Sequence, residues 1–212
     1  ILSKQRLNMK LIFASNNPHK LHEVRQILPL FIEVVSLKEI GFLQEIDETG
    51  ETLEENSMLK AQAVWNWVKE QNIAHHFDGV FADDTGLEIA ALNGAPGVRT
   101  ARWAGEEPTD INNRQKALRE LTNEINRNAR FRTIVSLITH HQSLQVAGIV
   151  NGTIAMQEEG DGGFGYDPIF IPEGYKYTFA SLPAEVKNAI SHRGRAMEAL
   201  RDVLNKYTPD TL

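Results

Sequence analysis

Cysteine is absent from the 212 residues, which excludes disulfides and thiolate chemistry and suits a cytoplasmic protein. No apolar run approaches the roughly 20 residues that span a bilayer. Residues Ile1 to Lys10 hold no apolar segment followed by a cleavage site. Internal repeats, low-complexity tracts and a Pro/Gly/Ser linker are missing as well. So is an excess of positive charge: the formal net charge is −6, whereas gripping a nucleic-acid polymer requires a basic stripe. A small phosphorylated ligand, neutralised locally by metal and a few lysines, stays compatible. The hydrophobic content of 42% supplies an ordinary globular core. The length fits one sizeable domain or two small lobes around one sheet. Residues 1–8 are expected to be a leader or extension, and residues 9–212 a single domain.

The rest of the chain is organised around Phe81-Ala82-Asp83-Asp84-Thr85-Gly86-Leu87-Glu88. Gly79 to Ala82 reads as a buried strand ending on two carboxylates, and Thr85-Gly86 is expected to turn the chain into a second apolar run. Strand ends in α/β proteins are where ligands sit. Adjacent carboxylates repel and resist desolvation unless a cation or proton is shared between them. A plain turn would need only one Asp, so metal or general-base work is the preferred reading over turn chemistry.

Met9 to Ala14 predicts a first strand. It leads into Ser15-Asn16-Asn17-Pro18-His19-Lys20, with Asn17 as N-cap and Pro18 as the first helical residue. Leu21, Val24 and Leu28 follow on one face. Free N–H groups, the helix dipole and the Lys20 charge would together collect an anion there. A merely capped helix is the alternative, and the glycines of a P-loop are lacking. Phe31 to Val35 reads as a second strand. Thr52-Leu53-Glu54-Glu55 is a capping box opening a helix to about Gln71, with Leu53, Asn56, Lys60, Ala63 and Trp67 on one face. Asn56 and Lys60 interrupt that buried face, which predicts a polar cleft beside this end of the helix. The acidic residues between Glu45 and Glu55 are either a solvated cluster or the source of one metal ligand.

Arg130 to Thr139 and Ser143 to Val150 predict a strand pair. Four glycines around Phe164, in Gly160-Asp161-Gly162-Gly163-Phe164-Gly165-Tyr166-Asp167-Pro168, suggest an exposed ring beside a base or sugar. Pro183 starts a short helix holding Lys187. Ser191 caps the last helix, whose buried stripe is Ala196, Leu200, Val203, Leu204 and Tyr207. His192 and Arg193 occupy its first turn, where a cation opposes the dipole and a ligand would explain it. His75-His76 and His140-His141 are expected to point apart. They and the pair His19 and His22 read as surface residues rather than zinc ligands.

Five motifs, S-N-N-P-H-K, D-E-T-G-x-T-L-E-E-N, F-A-D-D-T-G-L, G-G-F-G-Y-D-P and N-A-I-S-H-R-G, occur in order between about Lys10 and Leu204. Together they resemble the inosine triphosphate pyrophosphatase family. The resemblance implies a mixed α/β fold, a two-lobed domain around a long mixed β-sheet flanked by helices, and a homodimer. It also implies Mg²⁺-dependent cleavage of non-canonical purine nucleoside triphosphates (ITP, dITP, XTP) to monophosphate and pyrophosphate. Ser15, Asn16, Asn17, Pro18, His19 and Lys20 would then hold the triphosphate. Asp84 would be general base and metal ligand, with Asp47 or Glu48 as a second ligand, and Thr85 would contact nucleotide. Phe164, Gly165, Tyr166 and Asp167 would hold base and sugar, with Lys187, His192 and Arg193 completing the pocket. Asn56 and Lys60 would also face substrate. Ser57, Pro183 and Val186 depart from the family's usual residues, at helix starts. Two rivals stay open: a metal-dependent phosphatase or pyrophosphatase for modified pyrimidine nucleotides, and a non-catalytic nucleotide sensor.

Overall fold

The computed structural model describes residues 8–206. The expected leader therefore lies outside the described residues except for Asn8, as does Tyr207. The fold is mixed α/β. Strands β1 (Met9–Phe13), β2 (Ile32–Ser36), β3 (Gly79–Ile89), β5 (Asn128–Thr139), β6 (Ser143–Ile154) and β7 (Phe170–Pro172) form one sheet, ordered β2-β1-β3-β5-β6-β7, with the short β4 (Pro96–Gly97) paired to β3. β1 runs parallel to β2 and β3, while β4 pairs antiparallel to β3 and β7 to β6. The helices are α1 (Pro18–Ile27), α2 (Leu53–Glu70), α3 (Asp110–Glu120), α4 (Ala184–Ile190) and α5 (His192–Leu204).

The chain divides into two compact units. Among the described residues the first comprises 8–84, 134–146 and 196–206, the second 85–133 and 147–195. In the first unit β1 and the start of β3, which pair in parallel, are largely apolar on both faces, as parallel strands covered by helices require. Leu11, Phe13 and Phe81 pack with Val24 of α1 and Met197 and Leu200 of α5. Ile12, Ala14, Val80 and Ala82 pack instead with Ala61, Val64, Trp65 and Val68 of α2. Odd and even positions thus serve opposite faces, as the two-residue period of a strand dictates. The second unit has one core, in which Leu87, Ile89, Phe131, Val150 and Phe170 meet Ala117 and Leu121. The alternate positions of its sheet are polar: Glu88 bridges Arg130 and Arg132.

Local chemistry sets the helix starts. The Asn17 side chain accepts from the amides of His19 and Lys20, and Pro18 opens α1. Thr52 and Glu55 complete the capping box of α2. Two expectations are corrected. Thr85-Gly86 makes no turn, because β3 continues through it for 11 residues and pairing with neighbouring strands overrides the local turn preference. The buried face of α2 runs through Leu53, Asn56, Ser57, Lys60, Ala61, Val64, Trp65 and Val68. Ala63 and Trp67 are only half-buried, since a stripe of 3.6-residue period drifts away from them by the third turn.

Candidate active site

Asp83 and Asp84 lie in the middle of β3, the last two residues of the first unit. Alternation points them to opposite faces, and each meets the helix on its own side. Lys20 of α1 reaches Asp83, with Nζ 3.0 Å from Oδ1. Lys60 of α2 reaches Asp84 Oδ1 at 3.4 Å and Glu48 Oε1 at 2.8 Å. Asp83 is fully buried and Asp84 is 7% exposed. Three carboxylates thus face two ammonium groups, leaving the cluster one negative charge in excess.

Burial and these charges together set the proton affinities. Burial pushes the Asp84 carboxyl above the usual carboxylate range. Lys60 and Lys20 pull it back, while Glu48 and Asp83 push the same way as burial. For Lys60 burial acts downward, yet attraction from Asp84, Asp83 and Glu48 outweighs it and the ammonium is held more firmly than usual. The partners of one ion pair therefore read differently. Lys60 sees three opposite charges, whereas Asp84 sees two opposite and two like. Asp84 Oδ2 is buried without a hydrogen-bond partner among the described residues.

The loop before α2 is fastened from within. Asn56, completely buried, accepts the Gly50 amide on Oδ1 at 2.8 Å. A Cβ at Gly50 would stand 2.7 Å from that oxygen and 2.7 Å from Glu55 Cβ. With Gly50 so held, Glu48 meets Lys60, while Asp47 is exposed. The trio Asp47, Glu48 and Asp84 is not assembled: among the described residues no three His, Asp or Glu side chains form a metal-holding group. Glu48 and Asp84 alone still suit a hard divalent cation. Mg²⁺ commonly takes one or two carboxylates, with waters and substrate phosphates filling the remaining positions, and the unengaged Oδ2 of Asp84 is such a donor.

At the start of α1 the expected free amides are already used. Those of His19 and Lys20 donate to Asn17 Oδ1, at 2.9 and 3.2 Å, that of Leu21 donates to the Asn17 carbonyl, and Pro18 has none. Ser15 accepts the Asn17 amide. What this helix start can offer an anion is the Lys20 charge and the dipole rather than open N–H groups. Asn16, Pro18 and His19 are exposed beside it.

The second unit gathers the other predicted residues. Lys187 Nζ stands 5.0 Å from the centre of the Phe164 ring, and the Arg193 guanidinium 5.6 Å. Arg193 is 2% exposed and its Nη2 lies 3.4 Å from Thr85 Oγ1, which also meets Thr133 Oγ1 at 2.7 Å. His192 is buried with its ring stacked 4.4 Å from Phe131. Phe164 is half-buried rather than exposed. The glycines beside it answer to protein contacts. A Cβ at Gly160 or Gly162 would press on Ala180 and Ser181, and one at Gly163, whose φ is +71°, would collide with Asp167 Oδ2. Gly165 donates to Asp110 Oδ2 and accepts from Arg114. Tyr166 lies in the core with its hydroxyl on the Thr100 carbonyl at 3.0 Å, which anchors the loop. Burial raises its phenol far above the usual range, with Asp110 adding to the effect.

Sequence reasoning missed Asp83 as the partner of Lys20, the Ser57–Ser136 hydroxyl pair at 2.7 Å with Gln145 donating to Ser136, and the Asp110 and Arg114 grip. Two of these carried a signal: Asp83 as one of two adjacent carboxylates calling for a cation, and Ser57 as a polar residue on a buried helical face. The rings of His75 and His76 are 3.9 Å apart instead of diverging, because the tight turn at 74–76 brings them together. His19, His22 and His140 are exposed, with His140 edge-on to Trp65.

The sequence model of the Ham1 family matches residues 11–203. A Porphyromonas gingivalis protein named dITP/XTP pyrophosphatase is 48% identical over 198 residues, covering 92% of this chain and 97% of its own length. One of the same name from Bacillus subtilis is 44% identical over 197 residues, covering 91% and 96%. The solved structure of a HAM1 protein from Coxiella burnetii superposes with a TM-score of 0.82 at 37% identity, covering 94% of this chain and 100% of that one. On the family match and on likeness over nearly the whole of these relatives, the chain belongs to the Ham1 family.

Proposed function

We propose that this protein is a nucleoside triphosphate pyrophosphatase that hydrolyses dITP, XTP and ITP to the monophosphate and pyrophosphate, removing them from the nucleotide pool. The names of its relatives support the substrate class. The observation that carries the chemistry is Asp84: a buried carboxylate of raised proton affinity, with one oxygen unengaged and two lysines close by. A general base works best when its proton affinity lies near the working pH, and burial moves Asp84 that way. Asp84 takes the proton of the attacking water. Lys20 and Lys60 steady phosphate oxygens and the departing pyrophosphate. Mg²⁺, held by Asp84 and Glu48, would neutralise phosphate charge and lower the proton affinity of a bound water. The excess negative charge of the cluster favours such a cation. In the second unit Phe164 offers a ring face to the base, and Arg193, which has only donors, suits the O6 acceptor of a 6-oxopurine. The protein acts as a cytoplasmic homodimer in this reading.

Incubation of the purified protein with dITP, XTP and ATP in Mg²⁺ tests it. Pyrophosphate should be released from the first two far faster than from ATP, with no activity in excess chelator. Orthophosphate as the first product, or binding without turnover, would overturn it. Light scattering after gel filtration should give twice the monomer mass.

A further inference from the structure

One turn before Lys60, α2 is tied to the sheet by a second polar group, all of it within the first unit. Ser57 of α2 and Ser136 of β5 are completely buried, with their hydroxyl oxygens 2.7 Å apart. Gln145 of β6 reaches both elements with one nitrogen. Its Nε2 lies 2.9 Å from Ser136 Oγ and 2.8 Å from the Glu54 carbonyl in the first turn of α2. The Ser57 hydroxyl lies 3.1 Å from that same carbonyl.

The direction of every bond in this group follows from what each atom can do. A carbonyl only accepts, so the amide nitrogen of Gln145, not its oxygen, faces Glu54. That nitrogen carries two protons, one for the carbonyl and one for Ser136 Oγ. Among the described residues the Ser136 proton then has a single acceptor, Ser57 Oγ, and the Ser57 proton is left for the Glu54 carbonyl. The bonds run from Gln145 to Ser136 to Ser57 to Glu54, and the second Gln145 proton closes the ring. Every donor in it is used, and a buried network satisfied in full is rigid and cooperative.

Ser57 and Lys60 share the buried face of α2. The helix thus meets the sheet at two polar points: Ser57 against β5, and Lys60 against Asp84 of the neighbouring β3. Lys60 Nζ lies 2.8 Å from Glu48 Oε1 but 3.4 Å from Asp84 Oδ1, so the ammonium stands off the proposed base. A lysine stem is flexible and does not hold such a distance by itself; a helix pinned to the sheet one turn away does. We infer that the ring of Ser57, Ser136, Gln145 and the Glu54 carbonyl positions Lys60, fixing α2 against β5 and thereby the distance of the ammonium from Asp84. Ser57 and Ser136, with no exposed surface, have nothing to offer a ligand directly.

The effect on turnover rests on the pyrophosphatase reading, whereas the place of the ammonium does not, and two readouts keep them apart. Ser136→Ala removes the hydroxyl that joins the two sides of the ring. It should lower kcat/KM for dITP with Mg²⁺ about tenfold, the order expected when a phosphate-binding cation is displaced by a fraction of an ångström. In the Lys60→Gln background it should change kcat/KM by less than about twofold while still lowering the melting temperature. The Lys60 ammonium signal in nitrogen-15 NMR spectra, assigned by its loss in Lys60→Gln, should move in Ser136→Ala with no nucleotide present. An unmoved signal, or an equal loss of kcat/KM with and without Lys60, would overturn the inference. So would a lowered melting temperature with unchanged kinetics, the mark of a merely structural ring. Should Ser136→Ala fail to fold, Gln145→Ala takes its place, because Gln145 is exposed and its loss opens the ring without stranding a buried proton. If the wild type released no pyrophosphate from dITP, the pyrophosphatase reading would fall, and the NMR signal alone would decide whether the ring places Lys60.

Discussion

Asp84 is held at a cost that its replacement should reveal. Its folded-state proton affinity lies above that of the unfolded chain. Between the two pKa values the native state keeps a proton that the unfolded state has released, so stability falls as pH rises through that window and stays lower above it. Asp84→Asn removes this penalty. The variant should melt at or above the wild-type temperature at pH 8, and the difference should vanish below about pH 4, near the unfolded pKa. Its turnover of dITP should drop by about 10²–10⁴, the usual loss for a general base. Calorimetric melts at several pH values, beside rates in saturating Mg²⁺, check both. Near-normal kcat would remove Asp84 from the chemistry. Arg193 invites a different measurement. Arg193→Ala should narrow the preference for dITP over dATP, because a donor facing O6 is left unpaired against an amino group. An unchanged ratio of kcat/KM values would assign selection to other groups.

Among the elements, what was legible in the sequence was local. Asn17-Pro18 and the Thr52–Glu55 box act within one turn of chain, so the starts of α1 and α2 could be read directly. Polar residues on the apolar face of α2 were legible as well: Lys60 lies buried against Glu48 and Asp84, and Asn56 lies buried holding the Gly50 amide. The continuation of β3 through Thr85-Gly86 was not, because its register is set by strands far away in sequence. Nor was the use of the α1 amides by Asn17: the residue that announces the helix also consumes its donors. The loop before α2 offers a test at this scale. Gly50→Ala forces Asn56 and the loop apart. It should cost about 0.5–3 kcal/mol of stability, the range for ordinary substitutions, and raise the Mg²⁺ concentration needed for half-maximal rate by displacing Glu48. A changed melting temperature with an unchanged Mg²⁺ requirement would show that the loop does not place Glu48.

For the whole molecule, the route of the chain matters more than any contact. It passes between the two units at 84/85, 133/134, 146/147 and 195/196, and each passage falls inside a regular element: β3, β5, β6 and α5 respectively. A protease needs an exposed stretch that can unfold locally, and it usually finds one in loops. None of the four passages offers that, since a cut there would first require a strand or helix to come apart. Among the described residues, limited digestion should therefore nick the chain first within 105–109, where an unbroken run of exposed residues precedes α3. The two pieces should stay associated after the nick, because each still contributes to both units. Mass spectrometry of the early fragments will locate the cut. An initial cleavage near residue 84 or 195 would mean that these elements open more readily than their hydrogen-bonded course implies.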